Sequence, residues 1–235
     1  MIVAIHQPQF MAWLGYFDKM DQADCFVLLD NVQYKKNELQ NRNRIKGPQW
    51  LTVPVRFKFP DLITEVGVDI SDLWRQKQWR ALKTNYGKAP YWLLYEEFLE
   101  QFYEREWDRL SQVNKASVEW IRGALGIDTT LRIASEMELS EEPTQRLIDI
   151  CKAVGADTYL AGIDGKTYMD LERFTAAGLQ IVIQEYEHPV YSQLYGEFAS
   201  HLSALDLLCN CGPESGKVIR RGRKNQPISR KEATQ

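Results

Sequence analysis

Ile2-Val3-Ala4-Ile5-His6-Gln7-Pro8-Gln9-Phe10, running on into Trp13-Leu14-Gly15-Tyr16-Phe17, is the stretch whose reading decides the fold. Its apolar, β-branched run is bounded by polar residues and a proline, the pattern of a strand buried on both faces in a parallel sheet. Pro8 has no N–H to give a ladder and fixes its own φ, so the chain turns there. Phe10, Trp13, Leu14 and Phe17 then recur at helical spacing, which predicts a returning helix. His6 and Gln7 stand just past the carboxyl end of the strand, where open α/β sheets bind their ligands. A histidine bonded inside a structural turn is the plain alternative for His6.

The 235 residues suffice for one large or two closely packed domains with a sizeable core. A net charge of −3 argues against a nucleic-acid footprint over the body of the protein. No stretch has the pattern of a signal peptide or of a membrane span, so a cytoplasmic location is expected. Cys25, Cys151, Cys209 and Cys211 lack the spacing of a redox or zinc motif, and reduced thiols are expected. His6, His188 and His201 are far apart in sequence and show no metal-ligand spacing, so no metal is expected.

Further along, Cys25-Phe26-Val27-Leu28-Leu29 reads as a second buried strand, with Asp30 at its carboxyl end. Residues 31–49 are rich in amides and bases with little apolar periodicity, and read as an extended loop, either a functional one or a solvated polar connection. Within it Arg42 and Arg44 alternate with Asn41 and Asn43, so in an extended chain both guanidinium groups point to one side and can grip phosphate or carboxylate. Trp50 to Val55 reads as a strand, and the alternation in Glu65 to Ile70 as a half-buried strand with an antiparallel neighbour. Residues 72–126 carry three helical patterns and form an all-helical insert or cap.

From Thr130 strands and helices alternate again: strands at 130–134, 158–161 and 179–183, helices at 144–154 and 169–174. Gly162 opens a glycine-containing turn whose N–H groups can face an anion. Glu185, His188 and Tyr191 follow the last strand, and a carboxylate beside His188 would raise its pKa. A helix at 203–208 ends at Gly212-Pro213. Residues 213–235 then hold seven Lys or Arg against two Glu, a basic tail with disorder expected after about residue 220. The fold class is thus α/β: a mostly parallel, Rossmann-like sheet flanked by helices, with the core domain at 1–71 and 127–212.

His6-Gln7-Pro8-Gln9-Phe10 with Trp13-Leu14-Gly15-Tyr16-Phe17 resembles the WbqC-like family of bacterial proteins. The likeness continues through Asp30-Asn31-Val32-Gln33-Tyr34, Gln40-Asn41-Arg42-Asn43-Arg44-Ile45 and Trp50-Leu51-Thr52-Val53-Pro54-Val55. It resumes at Thr158-Tyr159-Leu160-Ala161-Gly162, His188-Pro189-Val190-Tyr191 and Leu205-Asp206-Leu207-Leu208. Ala12 and Ile163 depart from the family pattern, and neither is a candidate catalytic group. The resemblance implies a setting in surface-polysaccharide or specialised-metabolite biosynthesis, and transfer of glycine or another small acyl group to an amino sugar.

For such a transfer, His6 or His188 is the candidate base, with Asp30 or Glu185 orienting it. Gln7, Asn41 or the N–H groups around Gly162 are candidates for the oxyanion. Arg42 and Arg44 are candidates for a diphosphate or a carrier's phosphopantetheine, while Trp13, Tyr16, Gln33 and Tyr191 complete the expected substrate contacts. No cofactor is expected to be permanently bound; the donor is a carrier-protein thioester or a nucleotide-activated group, and an acyl carrier protein is the candidate partner. The alternatives are a nucleotidyltransferase-like enzyme and a non-catalytic binding module of a biosynthetic complex. The enzymatic reading expects His6, the two arginines and His188 to share one hollow above the sheet.

Overall fold

The computed structural model describes residues 1–47, 49–167 and 169–225. In chain order its elements are β1 (Ile2–His6), α1 (Leu14–Asp21), β2 (Cys25–Leu28), β3 (Arg42–Ile45), β4 (Gln49–Thr52), β5 (Val55–Arg56), β6 (Gly67–Val68), α2 (Leu73–Tyr86), α3 (Trp92–Glu104), α4 (Leu110–Ala124), β7 (Thr130–Ile133), α5 (Pro143–Ala153), β8 (Thr158–Ala161), α6 (Leu171–Ala176), β9 (Gln180–Ile183), α7 (Ala204–Cys211) and α8 (Ser215–Arg221). Five strands form one parallel sheet in the order β7-β2-β1-β8-β9. This is the expected Rossmann-like α/β fold, with the opening strand at its centre.

Alternation along β1 sends side chains to two different cores. Ile2 and Ala4 join a large cluster built with α1, the three helices α2 to α4, and α7 and α8. Val3 and Ile5 join a smaller cluster with β2, α5, Tyr159 and Phe174. Sheet faces covered on both sides explain why β1 reads as a continuous apolar run. In the larger core the helices interlock through rings, with Phe98 stacked on Trp120 at 4.4 Å. Gly15 permits a close approach: a Cβ there would lie 2.2 Å from the Trp13 indole, which lies against the start of α1. No helix among the described residues is long and apolar enough to cross a membrane.

The expected strand from Trp50 to Val55 divides between two sheets, β4 ending at Thr52 and pairing with β3 while Val55 opens β5 and pairs with β6. Two further segments differ from the sequence reading. The presumed loop at 31–49 contains β3, which pairs antiparallel with β4. Arg42 and Arg44 do point to one side of it. Its inward residues are Ile45 and Asn43, and Asn43 Nδ2 donates to the carbonyl of Met11 at 2.9 Å. An amide satisfied by backbone thus replaces the apolar alternation that would have betrayed the strand. The second segment is the start of the basic tail. Residues 215–221 are helical, with Val218 and Ile219 buried. Arg220 grips Asp21 with both Nε and Nη2, at 2.9 and 2.8 Å. Arg223 reaches Asp18 at 3.0 Å and Asp21 at 2.6 Å. The rest of the segment expected to be disordered, 226–235, lies outside the described residues.

A buried carboxylate ties the helical layer together. Asp206 of α7 accepts from Tyr86 Oη at 2.9 Å, Tyr191 Oη at 2.8 Å and Gln193 Nε2 at 2.8 Å. Burial pushes its pKa up, and these donors oppose that. Replacing Tyr191 with Phe is expected to lower the unfolding free energy by roughly 1.5–3 kcal/mol, as for a bond to a charged group. Urea titration at neutral pH measures this; an unmoved midpoint would show that the bond adds nothing net.

Candidate functional site

Strand order places the candidate site. From β1 the chain steps to β2 and β7 on one side, while β8 and β9 lie on the other. The order therefore reverses between β1 and β8, and a crevice opens outside their carboxyl ends. A cavity of about 530 Å³ occupies that position. Its walls are Ile5, His6 and Gln7 from β1 and its turn, Tyr159, Gly162, Asp164 and Gly165 around the end of β8, and Leu29, Val32, Gln33 and Lys35 after β2. Lys19 of α1 and Pro143, Arg146 and Leu147 of α5 complete it.

His6 is held as a neutral ring. Its Nδ1–H donates to the Gln7 carbonyl at 3.0 Å, which leaves Nε2 as an acceptor. Its ring meets Tyr16 edge-on at 4.9 Å. Burial, with the Lys19 charge nearby, lowers its pKa to about 3. Gln7 is fixed by Gln40, whose Nε2 donates to Gln7 Oε1 at 2.7 Å.

Lys19 is the residue that sequence reasoning missed. It is 3% exposed, and its Nζ donates to the Ile5 carbonyl at 2.8 Å. Among the described residues it has no carboxylate partner. Burial lowers its pKa to about 7. An amine that is half deprotonated near neutrality, on a cavity wall, is suited to proton transfer. No sequence signal marks it, since a lysine on a helix reads as solvent-facing and only its contact with β1 shows otherwise. The cavity's charged side chains are Lys19, Lys35 and Arg146 against Asp164, so a positive balance surrounds it. Arg146 is also a loop staple, donating to the Ser140 carbonyl from Nε and the Glu141 carbonyl from Nη2, each at 2.9 Å.

Of the residues proposed from sequence, His6, Gln7, Gln33 and Gly162 line this cavity. Arg42, Arg44 and His188, expected to share one hollow with His6, are not among the described residues that line this cavity. Arg42 and Arg44 lie with their guanidinium carbons 4.5 and 6.0 Å from the centroid of Trp50, on the β3–β4 hairpin. His188 packs with His201 (5.0 Å between centroids), Phe198 and Tyr191, brought together by the coil between β9 and α7. Trp13 stacks on His201 in the same group. Burial, then the neighbouring His201, lowers the His188 pKa, opposite to the rise expected from a carboxylate.

Other candidates have structural partners. Asp30 accepts from the N–H and Oγ of Ser135 at 2.9 and 2.8 Å. Asn41 Nδ2 donates to the Val53 carbonyl at 2.9 Å. Tyr16 is buried against His6, Phe17 and Phe26 rather than presented to solvent. Tyr191 is committed to Asp206, and Glu185 is exposed, with its backbone paired to Asn225 and Lys224. Gly165 N–H is already used within the turn, donating to the Gly162 carbonyl at 2.9 Å.

Fold and cavity together define an open-sheet α/β protein with a switch-point pocket. The chain belongs to the WbqC-like protein family, whose model matches residues 7–218. It is 36% identical over 225 residues to the uncharacterized protein Rv1507c of Mycobacterium tuberculosis, covering 93% of this chain and 97% of that one. No solved structure matches it.

Proposed function

We propose that this protein is a cytoplasmic transferase that moves glycine or another small acyl or aminoacyl group onto an amino sugar or similar amine, in surface-polysaccharide or specialised-metabolite biosynthesis. The observation that carries the reading is the pairing, in one switch-point cavity, of an uncompensated buried amine with an imidazole whose Nε2 accepts. An attacking ammonium must lose a proton before it can add to an acyl carbon. Lys19, with a pKa lowered to about 7 by burial, takes that proton at neutral pH. His6 Nε2 accepts from the attacking N–H and aligns its lone pair. Lys35 and Arg146 favour a donor or acceptor that carries phosphate or carboxylate. The candidate donors are a carrier-protein thioester and a nucleotide-activated acyl group; as the C–N bond forms, the acyl C–S or C–O bond breaks and the carrier thiolate or the nucleotide phosphate leaves.

The test is to offer glycyl thioester of a carrier protein, or glycyl adenylate, with a panel of nucleotide-linked amino sugars, and to follow the new amide by mass spectrometry. His6→Ala is expected to slow transfer by roughly 10²-fold, the scale on which a misaligned reacting group is felt. His188→Ala should stay within a few-fold. Full activity in both the His6 and Lys19 variants would remove the reaction from this cavity. A nucleotidyltransferase-like enzyme is the second reading, favoured by the strand order alone; pyrophosphate release from ATP or CTP without acyl transfer would select it. Separation of His188 and the arginines from His6 is what a non-catalytic binding module predicts. Lys19 beside His6 is what ranks catalysis ahead of it.

A further inference from the structure

A basic stretch of the folded body contributes one residue, Lys35, to the cavity wall. Residues 31–58 hold seven Lys or Arg and one acidic residue in a chain of net charge −3. Two of the seven are used internally: Lys46 donates to Gln193 at 2.9 Å, and Arg56 to the Val68 carbonyl at 3.1 Å. Lys35, Lys36, Arg42 and Arg44 differ in their charge partners, although Arg42 also makes one bond to backbone. Among the described residues none of them has a carboxylate within ion-pair distance. Lys35 is both exposed and on the cavity wall. Its N–H donates to Gln40 Oε1 at 3.0 Å, and the other end of that amide holds Gln7 on the same wall. Two residues beyond Gln40, β3 begins at Arg42, which donates through Nη2 to the Asn37 carbonyl.

The hairpin register sets the next part of the surface. Arg42 stands opposite Thr52 and Arg44 opposite Trp50, so one outer face carries both guanidinium groups and the indole. Trp50 is 44% exposed even with both groups packed over it. Packing on the indole holds the two planar forks in place, so less rotamer freedom is lost when they bind an anion. An exposed ring flanked by two guanidinium groups without carboxylate partners offers both a stacking face and anion donors, the pair of features that suits a ligand having an aromatic ring and phosphates. A nucleoside diphosphate has that composition.

We infer that the outer face of the β3–β4 hairpin, with Lys35 and Lys36, is a binding site for the nucleoside diphosphate portion of a nucleotide-linked substrate whose sugar enters the cavity. Lys35 and Arg42 meet the phosphates, Arg44 adds a second fork, and the nucleobase stacks on the exposed part of Trp50. This rests on the proposed transfer to a nucleotide-linked amine, and supplies the residues that hold its nucleotide end.

Binding of uridine diphosphate, inorganic pyrophosphate and coenzyme A, measured by calorimetry at two ionic strengths, tests it. Uridine diphosphate is expected to bind about tenfold more tightly than pyrophosphate, since stacking of a base on an aromatic ring contributes ~1–3 kcal/mol. The double variant Arg42→Ala, Arg44→Ala should weaken uridine diphosphate at least tenfold, and added salt should reduce the difference. Trp50→Ala should bring uridine diphosphate down to the level of pyrophosphate, with Trp50→Leu as a second variant if the alanine form fails to fold. Unchanged uridine diphosphate affinity in the folded variants, no binding at all, or a response confined to coenzyme A each overturns the inference. Lys19→Met separates the two readings, because it should abolish transfer and keep nucleotide binding. Intact binding in a wild-type protein that transfers nothing would overturn the transferase and leave the nucleotide site standing.

Discussion

Replacing Lys19 with methionine is expected to remove most transfer activity and, at the same time, to make the protein harder to unfold. The activity loss should be on the order of 10²–10⁴-fold, the range for a general base. In the wild type the rate should rise with pH through about 7, as the Lys19 ammonium loses its proton. The stability gain follows from linkage. The folded chain holds this amine at a pKa of about 7 and the unfolded chain at its ordinary 10.5. Between those values the unfolded form binds more protons, so stability rises with pH across the window. The penalty is complete below about pH 7 and gone above about 10.5. Near neutrality it amounts to roughly 4–5 kcal/mol, offset in part by the lost bond to the Ile5 carbonyl. Methionine keeps the unbranched stem and removes the charge, so Tm at pH 7 should rise by several degrees, and the gain should fade towards pH 10. Calorimetry at pH 6, 7, 8.5 and 10 reads this directly. A variant that is destabilised by the same amount at every pH would falsify the assignment of Lys19 as a buried, reluctantly charged amine.

Arg223→Ala is expected to be the most destabilising single change of a partly exposed residue. Asp18 is fully buried, and besides Arg223 it accepts from Gln22 Nε2 at 2.6 Å and Gln184 Nε2 at 2.8 Å. Burial already holds its pKa above the usual carboxylate value, with Gln184 and Arg223 acting against that rise. Removing the guanidinium strands a carboxylate in a dry site, which costs about 3–5 kcal/mol when the partner is wholly lost. The two glutamines and the quarter exposure of Arg223 bring the expected loss to about 2–4 kcal/mol at pH 7. The variant's Asp18 titrates higher when folded than when unfolded, so its folded form takes up the extra proton as pH falls. The gap from wild type should therefore narrow on acidification. Paired urea titrations at pH 7 and pH 5 check it; equal gaps at both would mean that Asp18 is not the group left stranded. Arg220→Ala should cost less, because Asp21 keeps Arg223 and its own pKa is lowered: burial raises it, but the bonds from Arg220 and Arg223 outweigh that.

What the sequence disclosed, and what it hid, follows from range. The parallel sheet was legible because Val3, Ile5, Val27 and Leu160 are buried by immediate neighbours on both faces, and that leaves an apolar run in the text. The β3 strand was not, since Asn43 faces inward and is satisfied by the carbonyls of Phe10 and Met11, a partnership no periodicity records. His6, Gln7 and Gly162 could be placed at strand ends by topology alone, Gln33 only through the resembling stretch that contains it, and the cavity holds all four. Lys19 escaped because helices ordinarily carry lysine on a solvated face, and only the contact with β1 reveals that this one does not. The grip of Arg220 and Arg223 on α1 spans 199 to 205 positions and looks, locally, like a solvated basic tail.

The central place of β1 bears on how the chain assembles. Its neighbour β2 follows within about 20 residues, but Ile2 must wait for Thr158 before its other edge is covered. Closing so long a loop costs entropy before any contact is gained, which places such a topology among slow folders. Until β8 arrives, the strand bearing His6 presents an open, apolar edge to any other nascent chain. Self-association is thus the hazard of the half-made molecule, and arrival of β8 both ends it and encloses the pocket.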